Sequence, residues 1–228
     1  MAKVLVISPH PDDSDFGCAG TIASLVKEGN EVEELIATDG SKGSHVVGFD
    51  GKKLVAMRKR EQREAAKVLG VETVHFLGEV DGEVENTKEF RKKLVAAIRK
   101  IKPEIVISYE PALHFEIVYH SHRDHRQVAE AVFDALYPAA GSTSFFPELL
   151  TQGLQPHRPR ELWFFATETP NKVVDITKTI DQKIQALLCH KSQIETKNLA
   201  QEVKERAAKR GKKKGFAYAE AFRTIELA

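Results

Sequence analysis

The chain has 228 residues, 42% hydrophobic and 29% charged, enough apolar material for one sizeable core. Its 34 basic residues against 33 acidic ones leave a net charge of +1, which gives no footing to nucleic acid or an anionic membrane surface as a partner. The two cysteines, Cys18 and Cys189, lie too far apart in sequence for a zinc knuckle and are too few for a disulfide framework. No apolar run is long enough to span a bilayer. Met1-Ala2-Lys3 leads straight into an apolar run without a leader pattern, so a cytoplasmic protein is expected.

Taken in chain order, strand and helix signals alternate. Val4-Leu5-Val6-Ile7 is a short, wholly apolar strand. Residues 21–28 read as a helix with Ile22, Leu25 and Val26 on one face, stopped by Gly29-Asn30. Residues 32–37 form a second strand, 54–69 a helix closed by Gly70, and 73–76 a third strand. Residues 87–102 repeat Phe90, Leu94, Ala97, Ile98 and Ile101 at helical spacing, with Thr87 placed to cap and Pro103 just beyond. A fourth strand at 105–108 and a helix at 124–136 follow, then a long Pro-, Gly- and Ser-rich loop at 138–159, expected to wall the substrate pocket. Residues 161–166 and 173–174 read as strands and 176–189 as a helix. The basic run at 204–214 has no interleaved aromatics and reads as a solvated helix end. Continuously apolar strands alternating with helices predict one α/β domain over 1–228. Its fold would be a Rossmann-like, doubly wound, mostly parallel sheet with helices on both faces.

The chemistry gathers where strands end. In an open α/β sheet, ligands bind beyond the carboxyl ends of the strands, at the point where strand order reverses. His10-Pro11-Asp12-Asp13 follows the first strand, and His122-Arg123-Asp124-His125 lies between the fourth strand and its helix. If strands one and four are neighbours, both clusters face one crevice. A phosphate loop does not fit: Gly17 and Gly20 make no G-x-G-x-x-G, no G-K-[ST] follows, and nearby acids would repel an anion. The glycines are expected to turn the chain tightly from strand into helix. Asp15 is expected to cap that helix, and Ser121 or Asp124 the later one.

A metal site fits better. His10 and Asp13 sit across a tight turn, and His125 supplies a third ligand, a His-Asp-His set suited to zinc or another divalent transition metal. Such an ion lowers the pKa of bound water from about 15.7 toward about 7. Asp12, adjacent to a ligand, is placed as the general base. His122, when protonated, is placed to stabilise a developing oxyanion and later protonate a leaving amine, with Asp124 orienting an imidazole. His45, His75, His114, His120, His157 and His190 have no comparable arrangement and are expected to be surface or satisfied histidines.

Pro9-His10-Pro11-Asp12-Asp13 with Gly17 and Gly20, and His122-x-Asp124-His125, resemble the two signature motifs of the LmbE/PIG-L-like zinc de-N-acetylases. Further stretches also fit the family pattern: Thr38-Asp39-Gly40-Ser41-Lys42-Gly43, Arg58-x-x-Glu61-x-x-x-Ala65-x-x-x-Leu69-Gly70, Leu77-Gly78-x-x-Asp81-Gly82 and His190-Lys191-Ser192-Gln193. Two positions depart from it: Arg123 stands where the family usually has proline, and Ser41 where it often has Glu. The resemblance implies hydrolysis of the acetamide of an N-acetylglucosamine conjugate, giving acetate and a free amine. It assigns zinc to His10, Asp13 and His125, the base to Asp12, and the oxyanion to His122 oriented by Asp124. Arg58 and Asp81 are the candidates for sugar or aglycone contacts. Two rival functions remain: a binding-only protein on the same fold, and a hydrolase of phosphoesters with Arg123 and Arg126 as an anion clamp. A homo-oligomer is left open.

Overall fold

The computed structural model describes residues 1–44, 46, 48–111, 118, 120–194 and 198–227. His45 and His114 lie outside the described residues. Strands β1 (Lys3–Ser8), β2 (Glu31–Thr38), β3 (Thr73–Glu79), β4 (Ile105–Tyr109), β5 (Glu161–Phe165), β6 (Lys172–Asp175) and β7 (Ala219–Glu226) form a seven-stranded sheet in the order β3-β2-β1-β4-β5-β7-β6. β3, β2, β1, β4 and β5 run parallel. β7 pairs antiparallel with both β5 and β6. The sheet is thus mostly parallel, as expected, with β1 and β4 adjacent at the switch point.

Helices cover both faces. Leu5, Ile7, Leu35 and Val106 pack against α3 (Lys88–Ile101) and α4 (Arg123–Asp134) through Leu94, Ile98, Val128 and Val132. Val4, Val6, Ile107 and Phe165 face α1 (Asp13–Lys27) and α2 (Gly51–Leu69) through Ile22, Ala65 and Leu69. Burial on both sides is why the central strands are apolar without alternation. Ile180, Ile184 and Leu187 of α5 (Ile180–Leu187) form a satellite core with Leu199 and Val203 of α6 (Leu199–Gly211). Among the described residues, no helix is long and apolar enough to cross a membrane.

Thr87 caps α3 as read, accepting from the Phe90 N–H at 3.1 Å. The basic run ends α6 on exposed residues, also as read. Other expectations change. α1 begins at Asp13 rather than Thr21 and kinks at Cys18 (φ −147°), so Gly17 and Gly20 lie inside it and do not make the turn from strand into helix. Their role is close packing: a Cβ at Gly17 would lie 2.5 Å from the Phe165 ring, and one at Gly20 would lie 2.7 Å from Ile176. α5 starts four residues later than read because Asp175 closes a turn with the Thr177 N–H at 2.9 Å. β7 has no strand signal in the sequence: Ala-Glu-Ala-Phe-Arg-Thr-Ile-Glu carries charges at positions that pair only once β5 and β6 flank it.

The loop at 138–159 does not wall the crevice. It sits at the opposite, amino end of the strands, where the His157 ring nitrogen lies 2.6 Å from the Pro103 carbonyl just ahead of β4. Arg99, wholly buried in the last turn of α3, donates to the carbonyls of Ala139, Ala140, Ser142 and Phe145 at 2.7–3.1 Å.

Candidate metal centre and active site

The loops after β1, β2, β3 and β4 meet over the carboxyl ends of those strands. The first is a tight turn. Pro11 limits its neighbours, the His10 N–H donates to Asp13 Oδ2 at 2.8 Å, and Asp13 begins α1. Between them Asp12 has φ 95° and ψ −29°, a left-handed conformation that L side chains rarely adopt. The loop after β2 bends at Gly40 (φ +66°), where a Cβ would lie 2.7 Å from the Arg58 guanidinium.

His10 is the centre of the cluster. Its Nδ1 lies 3.0 Å from Asp13 Oδ2, and its Nε2 lies 3.0 Å from Asp124 Oδ2 and 3.3 Å from Asp81 Oδ1. Asp13 Oδ1 is 3.3 Å from His125 Nε2 and accepts the Tyr109 hydroxyl at 3.3 Å. Asp13 therefore bridges the His10 and His125 rings. The Tyr109 ring stacks on His125 with centroids 4.3 Å apart, and His120 packs edge-on to Tyr109. All of His10, Asp13, Asp81, Asp124 and His125 are buried, and His122 is exposed at the mouth.

The capping expectations at this end are overturned. The N-cap of α4 is His122, whose Nδ1 accepts the Asp124 N–H at 3.2 Å. That bond leaves the ring proton of neutral His122 on Nε2. The Asp124 carboxylate instead serves His10 and accepts the Gly82 N–H at 2.7 Å. Asp15 is no cap either: fully buried, it holds the Gln62 amide at 3.1 Å and lies 2.8 Å from His190 Nε2. His190 is thus buried and paired through Nε2 alone, its Nδ1 lacking a partner, and His75 pairs with Glu33 at 2.6 Å.

Burial opposes a charge on His10, but Asp124, Asp13 and Asp81 outweigh it and hold the imidazolium well above the usual histidine range. Burial likewise opposes ionised Asp13, yet His125 and His10 keep its carboxyl well below the usual range. Burial, then the neighbouring His10 and His125 charges, lower His122, so that ring is neutral at pH 7 and not the protonated acid expected for the leaving amine. Asp12 is pushed up to about 6 by burial; Arg58 pulls it down, Asp13 pushes it up.

Among the described residues, nitrogen and oxygen donors meet within 4.8 Å of one another in two overlapping triads, His10–His122–His125 and His10–Asp81–Asp124; Asp13 is in neither, and reaches the group through its contacts with His10 and His125. Asp124 Oδ1 and His125 Nδ1 are buried without a hydrogen-bond partner. Three buried carboxylates around two imidazoles, with unpaired donor atoms, are an arrangement a divalent cation would satisfy.

Arg58 is not a surface pair. Its guanidinium is buried and donates to Pro11 O at 2.7 Å, Asp12 Oδ2 at 3.2 Å and Gly40 O at 3.2 Å. Asp81 accepts the Lys42 N–H at 3.1 Å as well as facing His10. Arg123 turns to Val84 O and, at 2.9 Å, to Glu85, so it does not form the anion clamp a phosphoester hydrolase would need. Tyr109, Gln62, Glu34 and His190 belong to the site's surroundings but were missed as such. The only signal in the sequence was the late His190-Lys191-Ser192-Gln193 stretch.

Residues 5–136 match the sequence profile of the family described as PIG-L: GlcNAc-PI de-N-acetylase. The chain is 38% identical over 193 residues to the diacetylchitobiose deacetylase of Thermococcus kodakarensis, covering 85% of this chain and 70% of that protein. It superposes on the N,N'-diacetylchitobiose deacetylase of Pyrococcus horikoshii with a TM-score of 0.90 and 33% identity, covering 98% of this chain and 84% of that one. The 4-carboxy-2-hydroxymuconate hydratase GalB of Pseudomonas putida shares the fold at TM-score 0.81 and 20% identity, over 99% of this chain and 96% of that one. That last likeness speaks for the architecture alone, which carries more than one chemistry. Profile, sequence relative and superposition agree with the buried His–Asp cluster: the chain belongs to the PIG-L family and is a deacetylase, a hydrolase of a carbon–nitrogen bond.

Proposed function

We propose that the protein removes the N-acetyl group from an N-acetylglucosamine-type conjugate, with His10, Asp13 and His125 holding a zinc ion. The carrying observation is Asp13 placed between two buried imidazoles, 3.0 Å from His10 and 3.3 Å from His125. Imidazole and carboxylate donors favour zinc over magnesium or calcium. When bound, such an ion supplies Lewis acidity for the acetamide carbonyl and a water of lowered pKa.

Asp12 is the general base. With its pKa held near 6 it is ionised at neutral pH, yet close enough to return the proton to the departing amine. Arg58 fixes the carboxylate from one side at 3.2 Å. His122, neutral and carrying its proton on Nε2, donates a hydrogen bond to the acetamide oxygen as it becomes negative. Asp124 orients this pair of rings: its N–H sets the His122 tautomer and its carboxylate fixes His10. Arg58 and Asp81 are assigned the sugar-hydroxyl contacts, since both lie inside the cluster beside Asp12 and His10. The relatives named for diacetylchitobiose favour a chitobiose-type disaccharide as the first substrate to try.

The test is acetate release from N,N'-diacetylchitobiose and N-acetylglucosaminyl-inositol, with metal content measured on the same sample, before and after chelation. Chelator-sensitive acetate release is expected. Asp12→Ala should keep the metal and lose about 10²–10⁴-fold in turnover, whereas Asp13→Ala should lose the metal itself. A zinc-loaded protein that releases no acetate from either compound overturns the reading.

A further inference from the structure

Behind Asp12 lies a second polar cluster, buried in the sheet-helix interface where apolar side chains would be cheaper. Asp15, Glu34, Gln62 and His190 are each fully buried. They come from α1, β2, α2 and the segment after α5. Glu34 pairs in register with Val6 of β1, in the row of β-sheet residues that faces α1 and α2. The cluster leaves Asp15 Oδ1, Glu34 Oε1 and His190 Nδ1 without partners, so it is costly to maintain.

Its geometry has one outlet. Gln62 donates both amide hydrogens inward, to Asp15 Oδ2 at 3.1 Å and Glu34 Oε2 at 2.9 Å. Its carbonyl Oε1 accepts the Asp12 N–H at 2.8 Å. The amide cannot flip: reversed, it would set an NH2 against the Asp12 N–H and its oxygen against two carboxyl groups. The acceptors behind Gln62 therefore dictate that its carbonyl faces Asp12. Asp12 is the residue whose backbone holds the left-handed φ of 95°. The other ties on Asp12 itself are the Arg58 bond to its Oδ2 and the Phe16 N–H bond to its carbonyl at 3.0 Å; around it, Arg58 also holds Pro11 O, and His10 and Asp13 bond each other across the turn. Gln62 alone of these grips the Asp12 N–H.

We propose that Gln62 is a positioning residue for the Asp12 base: clamped between Asp15 and Glu34, it pins the Asp12 N–H and thereby fixes the left-handed turn that aims the Asp12 carboxylate. This rests on the reading of Asp12 as the base. Gln62 is wholly buried behind the donor cluster, so its loss should act on turnover and spare both substrate binding and metal.

The experiment compares Gln62→Met, which keeps length but removes the acceptor and both amide donors, with wild type, Asp12→Asn and the double variant. Zinc content, thermal unfolding, kcat and KM are read for N,N'-diacetylchitobiose. Gln62→Met should lower kcat about 10- to 100-fold with KM and zinc content unchanged. In the Asp12→Asn background the same change should have no further effect, because there is no base left to aim. A folded, zinc-loaded Gln62→Met with wild-type kcat overturns the proposal, as does an undiminished effect in the Asp12→Asn background. Should Gln62→Met fail to fold, Gln62→Glu and the swap Gln62→Glu/Glu34→Gln replace it. The single change sets three carboxyl groups together and removes the two amide hydrogens that Asp15 and Glu34 accept; the swap returns two N–H groups to the cluster and should recover at least about fivefold of the lost kcat. A swap that recovers none overturns the proposal. If Asp12→Asn itself keeps turnover, the base assignment has failed, and that outcome is separate from any result at Gln62.

Discussion

Glu34 shows what a single buried carboxyl does to this protein. Burial pushes it up to about 8, and the neighbouring Asp15 adds to the shift. Below the ordinary carboxyl value of 4.5 the group is protonated in the folded and unfolded chain alike. Between that value and about 8 the folded chain keeps the proton and the unfolded chain has lost it, so stability falls as pH rises. Above about 8 the loss is complete. Glu34→Gln keeps an acceptor for Gln62 without the charge. It should flatten the pH dependence of thermal unfolding across this window and raise Tm at pH 8 by roughly 5 °C. Melts from pH 5 to 8.5 check this; curves for variant and wild type that stay parallel would remove Glu34 as the source.

At the scale of elements, α1 owes its place to its glycines. Gly17 lets the helix settle on the Phe165 ring of β5, and Gly20 lets it settle on Ile176. The two contacts lead to different places. Phe165 packs on Tyr109 with ring centroids 4.4 Å apart, and Tyr109 stacks on His125. Ile176 belongs to the satellite core with α5 and α6. Gly17→Ala and Gly20→Ala should each cost about 1–3 kcal/mol through overpacking. Only Gly17→Ala should also loosen zinc held as proposed, because its displaced ring pushes Tyr109 against His125. Unfolding by denaturant and competitive chelation measure the two effects separately. Equal zinc affinity in both variants would show that the Phe165–Tyr109 stack does not carry strain to the centre.

At the scale of the molecule, chemistry and scaffolding occupy opposite ends of the sheet. The reactive loops lie at the carboxyl ends of the strands, and the segment at 138–159 is tied to the amino ends by Arg99 and His157. Arg99→Met would strand four carbonyl groups that now share its guanidinium. Loss of such charge-assisted bonds should cost roughly 2–4 kcal/mol, with kcat and KM of the folded enzyme unchanged. A shift in KM for the disaccharide would mean that this segment reaches the pocket after all.

What the chain determined by itself is what short-range rules govern. Apolar runs at β1 and β4 announce strands buried on both faces, Thr87 announces a helix start, and histidines and acids just past strand ends announce where a ligand sits. Each depends on neighbours a few residues away, so each is legible in one dimension. The tertiary structure alone decided the rest. It brought Asp81 to His10, drew the Asp124 carboxylate from capping to His10, and turned Gly17 and Gly20 from turn residues into packing surfaces. It also joined Asp15 to His190 across 175 residues of sequence and set β7 between β5 and β6. The reason is physical. A buried polar group takes whichever partner the packed interior presents, because leaving it unpaired costs more than any local preference for a cap or turn returns. That partner is chosen by the packing of distant elements, which no local pattern records.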